Sequence, residues 1–255
     1  MKLQNRVVLV AGCASGLGAA TARHFASLGA RIIGIDRNAE LGGRLQEEAK
    51  EDFLFVEADV TSEEAVSHAI RTGIARFGPL SGAVICAGVV HGEKVRGRKG
   101  PHQLDSFRRV VDINLIGTFN VVRLAVDNLA TNEADADGER GVVLMTASTA
   151  AFEGQIGQAA YAAAKGAIVS MTLPMARELA ALGIRVCTVA PGLFETAIWQ
   201  GIPDASKNSL IETCQFPRRM GRPPEFALLA QQIFENPMLN GSVLRLDGAL
   251  RMNST

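Results

Sequence analysis

Seven short apolar runs, rich in β-branched residues, alternate with longer amphipathic segments along the chain. A strand buried in a parallel sheet shows a continuous apolar run, whereas a helix on its surface repeats apolar residues every three or four positions. The predicted strands are 7–11, 31–35, 53–57, 82–87, 141–146, 184–190 and 242–246. The predicted helices lie near 17–28, 40–50, 62–76, 107–130, 160–181 and 224–235. This alternation predicts a single α/β domain over 1–255, with a doubly wound, parallel, seven-stranded sheet and helices on both faces.

Two stretches interrupt this alternation. Residues 91–103, HGEKVRGRKGPHQ, form a basic, glycine-rich insertion. Residues 192–222 connect a predicted strand to the last predicted helix, whereas connections in α/β units usually take only about 2–6 residues. The long connection follows Pro191 and contains Trp199 and Phe216 beside three arginines. That composition predicts a lid that closes over a substrate.

Length and charge exclude several classes of protein. A chain of 255 residues is long enough for one large domain with a substantial core. Lys and Arg together number 26, as do Asp and Glu, so the formal net charge is zero and no nucleic-acid partner is predicted. No apolar run reaches the ~18 residues of a membrane span, so no membrane partner is predicted either.

Cysteine usage and the start of the chain bear on the compartment. Cys13, Cys86, Cys187 and Cys214 show neither a CxxC pair nor metal-ligand spacing. They are typical of reduced thiols in an intracellular protein, and no metal is predicted. The first predicted strand begins near Val7, which leaves no room for a signal or transit peptide. A cytoplasmic location is therefore expected.

A glycine-rich turn, AGCASGLG, joins the first predicted strand to the first predicted helix. It contains Gly12, Gly16 and Gly18 in a GxxxGxG spacing. Such glycines permit a tight turn and let backbone N–H groups approach a pyrophosphate at the positive end of a helix. Asp36 ends the second strand, where a carboxylate can accept hydrogen bonds from ribose hydroxyls and repel a 2′-phosphate. Together these features predict a Rossmann-like dinucleotide site.

The residues around that carboxylate bear on the choice of cofactor. Arg37 could hold a 2′-phosphate, but Ser15, just before the middle glycine, offers no second cation. NAD is therefore favoured over NADP. Further cofactor contacts are predicted at the start of the helix and at the carboxyl ends of the strands, namely Leu17, Asp59, Val60, Ala87 and Gly88.

The stretch AAYAAAKGA contains the only tyrosine in the chain, Tyr161, four positions before Lys165. On a helix these two side chains share one face. The pair alone is compatible with a packing helix that carries an incidental solvated lysine. Ser148 at the end of the fifth predicted strand and Asn114 in the long predicted helix add polar groups. With the glycine turn upstream, these four residues predict catalysis.

These motifs, with Pro191-Gly192, resemble the short-chain dehydrogenase/reductase family over essentially the whole chain. Within that family, AAFEGQIGQAAYAAAKG, APGLFET, ENPMLNG and RLDGALRM resemble the type II 3-hydroxyacyl-CoA dehydrogenase branch. Members of that branch also oxidise hydroxysteroids and branched short-chain hydroxyacyl-CoAs. The resemblance implies cofactor contacts from Leu193, Phe194 and Thr196 as well, the last of them to the nicotinamide carboxamide. It also implies a homotetramer that pairs helices 107–130 and 160–181.

The chemistry of an alcohol dehydrogenase requires such residues. A phenol of pKa ~10 is a poor base near neutrality. A lysine beside Tyr161 and the positive charge of a nicotinamide are both expected to favour the phenolate. Ser148 would hold the substrate oxygen. The resemblance implies that Lys165 also binds the cofactor ribose and that Asn114 holds a water linking Lys165 to solvent.

The chain departs from the family pattern at one strand junction. The family usually has Thr before its first glycine and Asn-Asn-Ala-Gly after the fourth strand. Here Ala11 and the run Ile85-Cys86-Ala87-Gly88 occupy those positions. The departure raises the question of how this junction is held together, but it leaves the proton chemistry unchanged.

Substrate contacts are predicted from Gln158 and Trp199, although the first could be an exposed residue at a helix start and the second an anchor for its loop. Basic residues recur in both irregular stretches: Lys94, Arg96, Arg98 and Lys99, then Arg218, Arg219 and Arg222. They fit either a solvated surface or the phosphates of coenzyme A. The predicted function is NAD-dependent interconversion of a 3-hydroxyacyl-CoA and its 3-ketoacyl-CoA. The alternatives are a hydroxysteroid or other secondary-alcohol dehydrogenase and a non-catalytic NAD-binding scaffold.

Overall fold

A computed structural model describes residues 1–196 and 210–254. In this part of the chain the strands are β1 Val7–Ala11, β2 Arg31–Asp36, β3 Phe53–Glu57, β4 Leu80–Ile85, β5 Arg96–Gly97, β6 Gly100–Pro101, β7 Gly141–Thr146, β8 Ile184–Pro191 and β9 Val243–Leu246. Seven of them form one parallel sheet in the order β3-β2-β1-β4-β7-β8-β9. β5 and β6 form a separate antiparallel hairpin. The order reverses direction at β1, which is the signature of a doubly wound sheet.

The helices of the described ranges are α1 Gly16–Ser27, α2 Ala39–Ala49, α3 Glu63–Phe77, α4 Leu104–Val111, α5 Gly117–Leu129, α6 Ala150–Glu153, α7 Ala159–Leu179 and α8 Pro223–Glu235. A π-helical turn, Asp112–Ile116, joins α4 to α5. Short 3₁₀ turns, Lys50–Asp52 and Ala180–Leu182, follow α2 and α7. None of these helices is long and apolar enough to cross a membrane.

Side chains of the central strands alternate between the two faces of the sheet, as the period of two in a strand requires. On β1, Leu9 and Ala11 belong to one buried apolar cluster, and Val8 and Val10 belong to the other. The first cluster includes residues of α3, α5 and α7, and the second includes residues of α1, α2 and α8. Helices therefore cover both faces, and the predicted Rossmann-like, parallel, seven-stranded fold is confirmed.

The predicted elements differ from the structure in a few places. β4 ends at Ile85, two residues before the prediction, because the apolar pair Cys86-Ala87 continues the pattern after the backbone has left the strand. The predicted helix 107–130 begins earlier and consists of α4, the π-helical turn and α5. Of the predicted lid 192–222, residues 197–209 lie outside the described residues, so the lid stays a prediction.

Candidate active site

A cavity of about 420 Å³ opens at the carboxyl ends of the central strands. It lies where the strand order reverses between β1 and β4, the place where ligands bind in open α/β sheets. Every cofactor residue predicted from the sequence lines it, as do Asn114, Ser148 and Gln158. Trp199, the remaining predicted contact, lies outside the described residues. The chain thus brings the candidate residues together from nearly its whole length.

The glycine turn forms one wall of this cavity and is too closely packed for other residues. Gly12 has φ +80°, and a Cβ on it would lie 2.6 Å from the backbone nitrogen of Ala87. A Cβ on Gly18 would lie 2.1 Å from the carbonyl oxygen of Gly12. Both distances are far below van der Waals contact, so glycine is required for α1 to start against the end of β1.

The amino terminus of α1 meets the cavity without a side-chain cap. The N-cap residue Ser15 makes no capping hydrogen bond, and the first turn of α1 contains no acidic residue. By contrast, Asn38 caps α2 and Ser62 caps α3 through side-chain oxygens. The first backbone N–H groups of a helix lack intrahelical partners and carry partial positive charge. This end of α1 therefore fits an anionic group such as the diphosphate of a dinucleotide.

Asp36 is fixed by backbone donors from both sides. The Ala14 N–H donates to its Oδ2 at 3.1 Å, and the Asn38 N–H donates to its Oδ1 at 3.0 Å. Arg37, next to it, points to a different carboxylate, with its Nε 3.5 Å from Asp59 Oδ2. The only cation beside Asp36 in the sequence is therefore already paired with an acidic residue of the cavity wall.

The carboxylate of Asp59 is held in its ionised form. Partial burial acts to raise its pKa, but the N–H and hydroxyl that Thr61 donates, and the charge of Arg37, outweigh burial and lower the pKa below its usual value. The Thr61 N–H and Oγ1 lie 2.9 Å and 2.7 Å from Asp59 Oδ1. The rim of the cavity near Asp36 thus carries two carboxylates and one arginine.

Ser148, Tyr161 and Lys165 meet deeper in the cavity. Ser148 and Tyr161 both line the cavity, and the Ser148 hydroxyl acts to lower the pKa of the Tyr161 phenol. Lys165 is buried, and its Nζ lies 5.8 Å from the centroid of the tyrosine ring. Its ammonium donates to the carbonyl oxygen of Thr146, the last residue of β7, at 2.8 Å. The end of β7 therefore anchors Lys165 and, two residues later, carries Ser148.

Burial determines the direction of both pKa shifts at this centre. It raises the pKa of Tyr161, an effect that the hydrogen bond from Ser148 partly opposes. It lowers the pKa of Lys165 to about 8, with Cys86 acting weakly in the opposite direction. Lys165 directs its ammonium to the carbonyl oxygen of Thr146. The expectation that Lys165 and a bound nicotinamide together favour the phenolate stays a prediction.

Asn114 lies in the π-helical turn and is fully buried. Its Nδ2 donates to the carbonyl oxygens of Val89 and Val110, both at 2.9 Å, and its Oδ1 accepts from the Val89 N–H at 3.3 Å. A Cβ on Gly88 would lie 2.6 Å from Asn114 Oδ1 and 3.5 Å from Lys165 Nζ. The side chain thus braces the backbone beside Lys165, and its expected water relay stays a prediction.

The apolar strand junction is closed by backbone contacts. Ala11 pairs with Ile85 across β1 and β4, and the Cys86 N–H continues the ladder by donating to the Ala11 carbonyl oxygen at 2.8 Å. The Thr146 hydroxyl lies 3.5 Å from the Cys86 sulfur. Burial raises the pKa of this thiol to about 11, so it stays protonated. Backbone pairing and apolar packing therefore suffice here without the polar side chains that are usual in the family.

The basic residues of the long connection have different partners. Arg219 forms a bidentate pair with Glu225 at the start of α8, with nitrogen–oxygen distances of 2.8 Å and 2.5 Å. Arg222 is the N-cap residue of that helix, and Arg218 is exposed. Lys94, Arg96, Arg98 and Lys99 are exposed on and beside the β5–β6 hairpin. Arg219 therefore has a structural role, which the sequence pattern alone did not separate from phosphate binding.

Several cavity residues were missed from the sequence. They include Thr146, Thr149, Gln155 and Met252. Thr146 contributes a backbone carbonyl, which no residue type encodes. Met252 comes from the carboxyl-terminal segment, far along the chain from Ser148. Gln155 could have been considered, because it lies close before Gln158 and its N–H donates to Gln158 Oε1 at 3.1 Å.

The fold and the site together define a nicotinamide-dependent oxidoreductase: a dinucleotide turn at the switch point of a doubly wound sheet, beside half-buried Ser148 and Tyr161 and buried Lys165. The family model described as short chain dehydrogenase matches residues 6–207, and the chain belongs to this family.

Relatives of known name cover nearly the full chain. A Drosophila melanogaster protein named 3-hydroxyacyl-CoA dehydrogenase type-2 is 48% identical over 98% of this chain and 99% of its own length. The Homo sapiens protein of the same name is 48% identical over 96% of this chain and 95% of its own length. The crystal structure of 3-hydroxyacyl-CoA dehydrogenase type-2 from Mycobacterium avium superposes with a TM-score of 0.94 at 38% identity, covering 98% of this chain and 97% of that one.

Proposed function

We propose that this protein is an NAD-dependent oxidoreductase that interconverts a short or branched 3-hydroxyacyl-CoA and the corresponding 3-ketoacyl-CoA. The observation that carries the proposal is that Ser148 and Tyr161 line the cavity together beside buried Lys165. Three relatives at 48% identity that are named 3-hydroxyacyl-CoA dehydrogenase type-2 support it. A relative named ipsdienol dehydrogenase, 36% identical over 98% of this chain, supports a different secondary alcohol as the alternative substrate.

The rim of the cavity supports NAD rather than NADP. The carboxylate of Asp36 is positioned by two backbone N–H groups and can accept hydrogen bonds from the adenosine ribose. A 2′-phosphate at this place would meet the charges of Asp36 and Asp59. Arg37, the candidate phosphate ligand, is paired with Asp59 and lacks a second cation beside it.

The proposed mechanism assigns the proton chemistry to the chain. A nicotinamide held at the glycine turn and Asp36 would supply the hydride acceptor or donor. In the oxidation direction, Tyr161 Oη takes the proton of the substrate hydroxyl, and Ser148 holds the same oxygen by a hydrogen bond. In the reduction direction Tyr161 returns a proton to the carbonyl oxygen. Lys165 stands one helical turn from Tyr161 and supplies a donor group that Thr146 keeps in place.

Coenzyme A phosphates are proposed to meet the exposed cations of the β5–β6 hairpin and Arg218. Such contacts lie at the surface and act over about 8–10 Å in ordinary salt. Arg219 is left out of this set because its guanidinium is fully engaged by Glu225.

A homotetramer is proposed for the assembly. Ile116 at the end of the π-helical turn, Phe119 at the start of α5 and Leu173 on α7 expose about half of their surface, at 50%, 47% and 45%. These helices are the ones whose pairing the family resemblance implies. Light scattering at micromolar concentration tests this, and a monomer would refute it. The cytoplasmic location stays a prediction from the sequence.

The function is tested by following NADH oxidation with acetoacetyl-CoA, its 2-methyl-branched analogue, a steroid ketone and a sugar ketone, each repeated with NADPH. The proposal expects the thioesters to be the preferred substrates and NADH the preferred cofactor. Preference for the steroid ketone would instead support a hydroxysteroid dehydrogenase. If none of the four compounds is turned over, the result would support the alternative of a non-catalytic NAD-binding scaffold.

A further inference from the structure

The carboxyl-terminal segment 247–254 folds back over the active site. Met252 lines the cavity with Ser148, Tyr161, Gln155 and Gln158. Gln155, Gln158 and Met252 thus line the cavity together with the reacting pair Ser148 and Tyr161. The segment therefore contributes a wall to the part of the cavity where a substrate would lie.

The position of Met252 is fixed on several sides. Leu250, two residues earlier, is fully buried in a small apolar cluster with Leu193, Cys214 and Met220. The Thr149 hydroxyl lies 3.7 Å from the thioether sulfur of Met252. Beyond it, the Ile156 N–H donates to the Ser254 carbonyl oxygen at 2.9 Å. The segment is thus held before, at and after the methionine.

One carboxylate, that of Glu153, connects this segment to the sheet. Its Oε2 accepts the Met252 N–H at 3.0 Å. Its Oε1 accepts from Arg245 of β9 at 2.7 Å. Arg245 in turn pairs with Asp247 at 2.7 Å and donates to the Leu250 carbonyl oxygen at 2.9 Å. Glu153 ends the short helix α6, which begins two residues after Ser148, so the clamp is built next to the catalytic serine.

The chemistry of this wall indicates what it contacts. The amide groups of Gln155 and Gln158 are engaged with neighbours, since Gln158 Oε1 accepts from the Gln155 N–H and Gln155 Nε2 donates to the Asn253 carbonyl oxygen at 3.3 Å. The thioether of Met252 is the apolar part of this end of the cavity. A methionine side chain is unbranched and adapts its shape to an apolar surface. The wall is therefore suited to an alkyl group and poorly suited to a charged one.

We propose that Met252 limits the length of the alkyl arm of the substrate and that Glu153 is a positioning residue that holds Met252 in place. This inference rests on the proposed function, because it takes an aliphatic 3-ketoacyl compound as the substrate. It adds the residue that sets chain length and the contact that keeps it there.

The test compares four-carbon and six-carbon substrates. The ratio of kcat/KM for the six-carbon over the four-carbon compound is measured with NADH, once for the coenzyme A thioesters and once for ethyl acetoacetate and ethyl 3-oxohexanoate. Met252→Ala should raise both ratios about tenfold, the lower end of what a methylene-sized change in an apolar pocket produces, and leave the KM for NADH unchanged. Met238→Ala is the matched control, because Met238 is 87% exposed and lies outside the cavity lining.

The clamp is tested with two variants of Glu153. Glu153→Ala should raise the same ratios, because the segment loses both its hydrogen bond and its ion pair. Glu153→Gln should raise the ratios less than Glu153→Ala, because its single amide oxygen can still accept either the Met252 N–H or the Arg245 guanidinium, but not both. If both variants lower all kcat values alike without changing the ratio, the positioning role is refuted.

The outcomes separate this inference from the proposed function. If the ratio of kcat/KM in Met252→Ala equals that of the wild type, the proposed role of Met252 in limiting chain length is refuted, and the proposed function still stands. If the wild type turns over the esters but not the thioesters, coenzyme A is refuted as the carrier. The ratio measured with the esters then still tests whether Met252 limits chain length. Turnover of neither pair would refute both.

Discussion

Replacing Lys165 by methionine should make the protein more stable at pH 7 while it abolishes turnover. Burial lowers the pKa of this ammonium from 10.5 to about 8. Because a tenfold change in an acid constant corresponds to about 1.4 kcal/mol, keeping the charge buried costs about 3 kcal/mol. Methionine has similar length and no charge, but it loses the hydrogen bond that the ammonium donates to the Thr146 carbonyl oxygen, worth about 1.5–3 kcal/mol for a charged donor. The net gain is therefore at most about 1.5 kcal/mol, or about 3–6 °C in Tm.

The pH dependence identifies the cause. Below pH 8 the lysine is protonated in both the folded and the unfolded state, so the cost of burial is fully present. Between pH 8 and 10.5 the folded protein releases the proton while the unfolded chain keeps it, so the wild type gains stability as the pH rises. The advantage of Lys165→Met should therefore shrink between pH 7 and pH 9.5. Thermal unfolding of both proteins without added cofactor, at these two pH values, measures it.

Lys99→Met provides the control, because Lys99 is exposed. It should change Tm little, and equally at both pH values. A Lys165→Met variant that is less stable than the wild type at pH 7 would contradict the reasoning. So would a stability difference that stays constant from pH 7 to pH 9.5, because then the charge would not be the cause.

Four further substitutions test the site. Tyr161→Phe should reduce turnover by at least about 100-fold, the lower range for general acid–base catalysis, with Tm and NADH binding unchanged; near-normal turnover would end the tyrosine mechanism. Asp36→Ala should weaken NADH binding and reduce the preference for NADH over NADPH, both measured by fluorescence titration. A wild-type protein that uses both cofactors equally would contradict the assignment of NAD as the cofactor. Arg218→Ala should raise the KM for acetoacetyl-CoA at low salt without lowering Tm. Arg219→Ala should lower Tm, because Glu225 loses its partner. If the two variants behave alike, the separate roles given to these arginines are contradicted.

The sequence predicted the sheet and most of the cavity lining because those signals are local. A glycine spacing after a strand, and a tyrosine four positions before a lysine, can be found without knowing the fold. Arg218 and Arg219 show what the sequence could not predict. As neighbouring arginines they had the same predicted role, and only the contact of Arg219 with Glu225 in the structure distinguishes them. The tail was missed for a related reason: nothing in the spacing of Met252 shows that it returns to Ser148.

The direction of the Tyr161 pKa shift also could not be obtained from spacing. Four positions on a helix bring a lysine near a tyrosine, but they do not say where the ammonium points. The ammonium points to the carbonyl oxygen of Thr146, at the end of β7. The pKa of Tyr161 is raised chiefly by burial, and burial depends on residues that are distant in the sequence.

The contact between Lys165 and the end of β7 has a consequence for how this enzyme can change. Lys165 and Tyr161 share one helix, and Lys165 is hydrogen-bonded to the carbonyl oxygen of Thr146 in the strand that leads to Ser148. The junction of α7 with β7 therefore positions all three side chains. The tail around Met252 is joined instead to the segment after Ser148, through Thr149, Glu153, Gln155 and Ile156. Substrate range can therefore diverge by changes in the tail, while the reaction itself is inherited intact.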